Sequence, residues 1–311
     1  MKEKYKLLME RITELKREKK AIILAHNYQR PEVQDIADYV GDSVELSRKA
    51  AELEDAKIIV FAAVDFMAEI ASILNPDKRI LIPTRGARCP MAGMLQPELI
   101  IDYRKRYPGV PVVLYVNTLA EAKAECDLCC TSANAVEIVE ALDSDTVIFG
   151  PDRNLAEYVA ERTGKHIIPI PKEGFCPVHI LFSKEEVLRI KEADPKALVL
   201  AHPECVHAVR EISDYIGSTS QMCRFAKESD AEKMIIATEI GLIHRLRKEN
   251  PDKTFIPAYE DAVCVNMKLN TLESLYMALK EEKYVVRVPE KLASRAREAV
   301  ERMFEIIGGH S

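Results

Sequence analysis

The stretch LAHNYQRPEVQDIADYVGDS, Leu24–Ser43, aligns without a gap to LAHPECVHAVREISDYIGST, Leu200–Thr219, at an offset of 176 residues. His26 then meets His202, Tyr28 meets Glu204, Asp38 meets Asp214, Gly41 meets Gly217 and Ser43 meets Thr219. The middle of the chain matches at an offset of 89, where His26 meets Tyr115, Tyr28 meets Asn117, Asp38 meets Asp127 and Ser43 meets Ser132. Later segments agree as well: IIVFAAVDFMAEIAS, TVIFGPDRNLAEYVAER and KMIIATEIGLIHRLRKE read as one strand-turn-helix unit. A period of about 88 residues is domain-sized rather than solenoid-sized, so the chain is expected to build one α/β unit three times.

Short Ile- and Val-rich runs alternate with amphipathic stretches, the pattern of parallel strands joined by helices. Strands are expected at Ala21–Ala25, Lys57–Phe61, Arg79–Ile82, Val112–Val116, Thr146–Phe149, His166–Ile168, Ala197–Ala201, Met234–Ala237 and Thr254–Ile256, three in each third. A chain of 311 residues is long for a single core. The expected architecture is α/β, with three pseudo-symmetric, three-layer αβα domains, each with a short mainly parallel sheet, around a central active-site cleft. Their expected limits are residues 1–86, 87–173 and 174–265, with segment 266–311 packing on the first.

Composition narrows the function. A net charge of -6 without a basic stripe gives no sign of a nucleic-acid partner. The apolar runs are strand-length, too short to cross a bilayer. The opening MKEKYKLLMERITELKREKK is charged throughout and lacks the apolar core of a secretory signal, so a cytoplasmic location is expected. In a reducing compartment the eight cysteines are buried hydrophobes, a catalytic thiol or metal ligands rather than a disulfide framework.

The repeat then points to a site. In open parallel sheets, ligands sit beyond the carboxyl ends of strands. His26, Tyr115 and His202 lie at such ends, two residues before Tyr28, Asn117 and Glu204. DSVELSRKAAEL, TSANAVEIVEAL and GSTSQMCRFAKE each open an amphipathic run with hydroxyl or Asx residues, which cap helices. Helix N-termini also hold anions, so Ser43, Ser132 and Thr219 are expected to bind a small polyanion. Cys89, Cys176 and Cys264 follow the third strand of each third, in RGARCPMA, GFCPVH and AVCVNM, with separations of 87 and 88 residues. Three such thiolates suit a zinc ion or a four-iron four-sulfur cluster. The rival C-x2-C in CDLCC, Cys126–Cys130, has no second pair elsewhere to complete a zinc knuckle.

HNYQRPEVQDIADYVGDS, YVNTLAEAKAECDLCCTSANA, GFCPVH, LAHPEC, GSTSQM and MKLNTLESL together resemble the quinolinate synthase family, from His26 to Leu275 and in order. The resemblance implies a three-domain enzyme of the transferase/synthase class with one [4Fe-4S] cluster per chain. The implied reaction condenses iminosuccinate with dihydroxyacetone phosphate to quinolinate, phosphate and water in de novo NAD biosynthesis. It implies Cys89, Cys176 and Cys264 as cluster ligands. The implied substrate-binding positions are His26, Tyr28, Ser43, Tyr115, Val116, Asn117, Ser132, His202, Pro203, Glu204 and Thr219. Glu204 and Tyr28 are the expected acid and base, with His26 and His202 as hydrogen-bonding or electrostatic partners. Handover of iminosuccinate from an aspartate oxidase or dehydrogenase is an expected functional link. The chain departs from the family at RGARCPMA, at Gln221 in GSTSQM where Gly is usual, and at Ala62 and Ala63. The alternative is another iron-sulfur or zinc-dependent lyase or dehydratase acting on a small dicarboxylate.

Overall fold

The computed structural model describes residues 2–53 and 55–308. The first stretch runs α1 (Lys2–Lys19), β1 (Ala21–His26), α2 (Pro31–Ile36), β2 (Tyr39–Gly41), α3 (Ser43–Glu52), β3 (Ile58–Ala62), α4 (Asp65–Leu74) and β4 (Arg79–Leu81). The second runs α5 (Pro90–Met94), α6 (Pro97–Arg106), β5 (Val112–Tyr115), α7 (Ala120–Lys123), β6 (Leu128–Cys130), α8 (Ala135–Glu140), β7 (Thr146–Gly150), α9 (Arg153–Thr163) and β8 (His166–Pro169). The third runs α10 (Lys184–Ala193), β9 (Leu198–Ala201), α11 (His207–Glu211), β10 (Tyr215–Ile216), α12 (Thr219–Glu228), β11 (Lys233–Ala237), α13 (Leu242–Glu249) and β12 (Thr254–Pro257). The chain closes with α14 (Leu272–Glu281), β13 (Val285–Val286) and α15 (Glu290–Gly308).

The protein is therefore α/β, with three short sheets ordered β13-β4-β3-β1-β2, β6-β5-β7-β8 and β10-β9-β11-β12. Every strand pair among the described residues is parallel except β13 with β4. Each expected strand forms, shifted at most by a residue or so. The structure adds β2, β6 and β10, two or three residues each directly after Asp38, Asp127 and Asp214 and without the Ile/Val run that marks the others, and the edge strand β13. Central strands are buried on both faces, as helix-covered parallel strands must be: Ile23, Val60, Leu114, Ile148, Leu200 and Ile236 are all sealed from solvent.

One device recurs in all three sheets. Asp38, Asp127 and Asp214, aligned by the repeat, accept the backbone N–H of Ile23, Val112 and Val199 at 2.8, 2.7 and 2.7 Å. Each carboxylate also pairs with a cation from the helix ahead of the first strand: Lys16 at 2.8 Å, Arg104 at 2.9 Å and Lys191 at 3.0 Å. A hydrogen bond to a charged group contributes about 1.5–3 kcal/mol, so each clamp fixes where its helix lies on its sheet.

Met1–Cys89 with Cys264–Ala293 form one compact unit, and Pro90–Val263 with Ser294–Ser311 form another. In the first, α14 and β13 return to the β1–β4 sheet, and Leu272, Leu275 and Leu279 join its core. The second holds the other two sheets. No helix among the described residues is long and apolar enough to cross a membrane.

Candidate active site

In the second unit, β9 ends at Ala201 and the chain leaves through His202, Pro203 and Glu204, all buried. The Glu204 N–H donates to His202 Nδ1 at 3.3 Å. The aligned turn after β1, in the first unit, repeats the bond: Tyr28 N–H donates to His26 Nδ1 at 3.1 Å, and the two rings meet edge-on at 4.6 Å.

Glu204 lies in a nest of ring nitrogens. His179 Nδ1 is 2.6 Å from Glu204 Oε2, and His202 Nδ1 is 3.5 Å from the same oxygen. His179 and His202 stack at 4.4 Å with 16° between planes, and His179 Nε2 meets Thr238 Oγ1 at 2.9 Å. Burial pushes the Glu204 carboxyl upward. The imidazoles of His202 and His179, and hydrogen bonds from His179 and Tyr115, outweigh it and bring the pKa down from 4.5 to about 2. The group is thus a carboxylate at neutral pH, and its Oε1 has no hydrogen-bond partner among the described residues. A buried carboxylate held ionised with one oxygen unused offers a fixed negative charge and an open acceptor at this strand end; at a pKa of about 2 it is a weak base, so a proton it takes is held only briefly and passed on.

Sequence reasoning missed His179. It stands in GFCPVH, three residues after Cys176, but the repeat puts Ala92 and Met267 at that distance from Cys89 and Cys264, so recurrence gave no signal. Cys176, His179 and Glu204 offer ligand atoms within 4.8 Å of one another. Donors on one tetrahedral zinc stand about 3.3 Å apart, given bonds of about 2.0–2.1 Å. The 2.6 Å between His179 Nδ1 and Glu204 Oε2 is instead a direct imidazole–carboxylate contact.

The remaining second-unit candidates surround further strand ends. Tyr115 and Val116 are buried and Asn117 half-buried, with Asn117 Oδ1 unpartnered among the described residues. Thr219 is the first residue of α12, but Ser218 makes the cap, through Gln221 N–H at 3.3 Å, while Gln221 Oε1 accepts the Ser218 N–H at 2.8 Å. Ser132 precedes the six-residue α8 inside a turn closed by Asn134, whose Oδ1 accepts the Thr131 N–H at 2.6 Å. Gln221 Nε2 donates to the Ala133 carbonyl at 3.1 Å, tying the Ser132 turn to the α12 start. The residue that departs from the family pattern therefore joins two expected binding positions.

In the first unit, Ser43 opens α3 under a cap made by Asp42, which accepts from Val44 and Glu45 N–H at 3.0 Å each. The MKLN segment buttresses the His26–Tyr28 turn: Lys268 Nζ donates to the Tyr28 carbonyl, Arg30 Nε to the Lys268 carbonyl at 2.7 Å, and Asn270 Nδ2 to the Ala63 carbonyl at 3.0 Å.

Cys89, Cys176 and Cys264 are half-buried on loops, as is Cys126, whereas Cys129, Cys130, Cys205 and Cys223 are buried. In each loop the carbonyl two residues before the cysteine is gripped: Ala87 by Asp65 N–H at 2.8 Å, Gly174 by Arg153 N–H at 2.9 Å, and Ala262 by Ile240 N–H at 3.0 Å. At Gly174 a side chain would collide with the Pro151 carbonyl, 1.8 Å from its Cβ, so only glycine lets the Cys176 loop lie against the turn after β7. Burial and the Glu204 charge push the Cys176 thiol up, so a positively charged metal centre is what would favour its thiolate. These fixed, accessible thiols suit a soft metal centre. Cys126 and Cys129, with sulfurs 4.0 Å apart, form a separate pair.

A parallel α/β scaffold that gathers a buried ionised carboxylate, two stacked imidazoles and a thiol loop at strand ends defines an enzyme site. The family model described as quinolinate synthetase A protein matches residues 10–305. Over 301 residues the chain is 53% identical to the quinolinate synthase of Thermotoga maritima, covering 97% of this chain and 100% of that one. It is 56% identical to the Pyrococcus horikoshii quinolinate synthase (96% and 99% covered) and 58% identical to that of Methanothermobacter thermautotrophicus (95% and 97% covered). The chain belongs to the quinolinate synthase family.

Proposed function

We propose that this protein condenses iminosuccinate with dihydroxyacetone phosphate, giving quinolinate, phosphate and two molecules of water, for de novo NAD biosynthesis. The observation that carries the chemical part is the ionised Glu204, buried with one oxygen unused and joined to His179. Cys89, Cys176 and Cys264 are the proposed ligands of a [4Fe-4S] cluster. When bound, such a cluster supplies a Lewis-acidic iron with an exchangeable position.

The chain's own residues hold the substrates and move protons. The N–H groups at the starts of α3 and α12 are taken by the Asp42 and Ser218 caps, so Ser43 and Thr219, with Ser132 and Asn117, are proposed to offer polar side chains to the substrates' carboxylate and phosphate groups. Orienting two small reactants in this way removes much of the entropic barrier to their joining. Isomerisation, ring closure and dehydration all require proton transfer. Glu204 accepts a proton, and the Glu204–His179–Thr238 chain spreads the resulting change of charge. Tyr28, at the aligned position, is the proposed acid, while His26 and His202 present Nε2 to substrate oxygens. The cytoplasm is the proposed compartment, with an aspartate oxidase or dehydrogenase as the proposed source of iminosuccinate.

The test is product formation: anaerobically prepared protein with both substrates should yield quinolinate and inorganic phosphate in equal amounts. Phosphate release without quinolinate, or neither product, contradicts the reading.

A further inference from the structure

The carboxylates after β3 and β7 reach the cysteine loops. Asp65 Oδ1 accepts the Cys89 N–H at 3.0 Å, and Asp152 Oδ2 accepts the Cys176 N–H at 2.9 Å, each across a separation of 24 residues. Neither bond is a by-product of helix capping alone. Asp65 Oδ1 also takes the Phe66 N–H at 3.0 Å, and Asp152 Oδ1 the Leu155 N–H at 2.8 Å, so both side chains serve a helix start and a cysteine together. The adjoining backbone grips the same loops from the other side, through Asp65 N–H to Ala87 and Arg153 N–H to Gly174. The two loops belong to different compact units, yet each meets the same pair of contacts at the same places, one on the cysteine and one two residues before it.

We propose that Asp65 and Asp152 are positioning residues that fix the backbone of Cys89 and Cys176 in a ligating conformation before any metal centre is present. The inference rests on the cluster reading given under Proposed function. The advantage is preorganisation: a loop already held needs no further ordering when its thiolate binds iron.

Asp65→Ala and Asp152→Asn test this: alanine removes the one Asp65 oxygen that takes both N–H groups, and asparagine leaves a single acceptor oxygen where Asp152 uses two. The first measurement is residue-resolved hydrogen exchange on the full, cluster-free chain under reducing, anaerobic conditions. In Asp65→Ala the Cys89 amide should exchange at least about tenfold faster while the Cys176 amide is unchanged, and Asp152→Asn should show the reverse. Unchanged exchange at the variant's own cysteine overturns the proposal, as does equal acceleration across the whole sheet. Should Asp152→Asn not fold, the half-buried Asp65 gives an independent answer. The second measurement is the rate at which reconstituted protein loses iron and sulfide to a chelator. The variants should lose them at least about tenfold faster than wild type. Equal rates in variant and wild type overturn the proposal, whereas wild type that takes up no iron and sulfide overturns the cluster reading and leaves the exchange result to judge the clamp.

Discussion

Glu204 has no room to be a passive side chain. Its carboxylate stays ionised against burial because His202, His179 and Tyr115 surround it. Glu204→Gln keeps the shape and removes the proposed base, so turnover should fall at least about 100-fold with folding intact, as steady-state rates and circular dichroism would show. The lowered pKa also sets a pH dependence. A carboxyl moved from 4.5 unfolded to about 2 folded contributes stability that is complete above about pH 5 and is lost as pH falls through about 2. Urea titrations of the cluster-free chain should show the wild-type advantage over Glu204→Gln constant above pH 5 and shrinking below it. Gln221 gives a second test. Gln221→Glu keeps the acceptor for Ser218 N–H but loses the donor to Ala133, so KM for the anionic substrate should rise about fivefold with little change in melting temperature. Gln221→Gly should lower the melting temperature as well. The strand-end places of Glu204 and His202 were legible because the repeat marked their positions. His179 was not, because its contact with Glu204 joins segments far apart in the chain, and no repeat neighbour carries a histidine.

Among the elements, the buried parallel strands were readable from their Ile and Val runs. The short strands β2, β6 and β10 were not, since two or three residues held by parallel pairing to β1, β5 and β9 carry too little apolar signal. The helix starts were placed nearly correctly, but the capping groups are Asp42 and Ser218, one residue ahead of Ser43 and Thr219, and α8 begins after Ser132 rather than at it. The alignment of Asp38, Asp127 and Asp214 was visible without its cause. The cause is the clamp on the first strand of each sheet. Asp127→Ala should cost about 2 kcal/mol of stability by chemical denaturation, because it strands the Val112 N–H and removes the carboxylate that pairs with Arg104.

For the whole molecule, the α/β class and the parallel sheets follow from patterning, and family membership from six motifs distributed along the chain. The division into units does not follow from the repeat: two of the three sheets share one unit, and the chain passes between units directly after Cys89 and directly before Cys264. The central claim is that these two cysteines and Cys176 hold one [4Fe-4S] cluster while Cys126 and the buried thiols do not. It is tested most directly by iron, sulfide and visible absorbance on anaerobically purified chains carrying Cys89→Ser, Cys176→Ser, Cys264→Ser or Cys126→Ser. Wild type and Cys126→Ser should be brown with about four irons per chain, and the other three colourless. A colourless Cys126→Ser chain, or full iron and sulfide in any of the other three, would contradict the account.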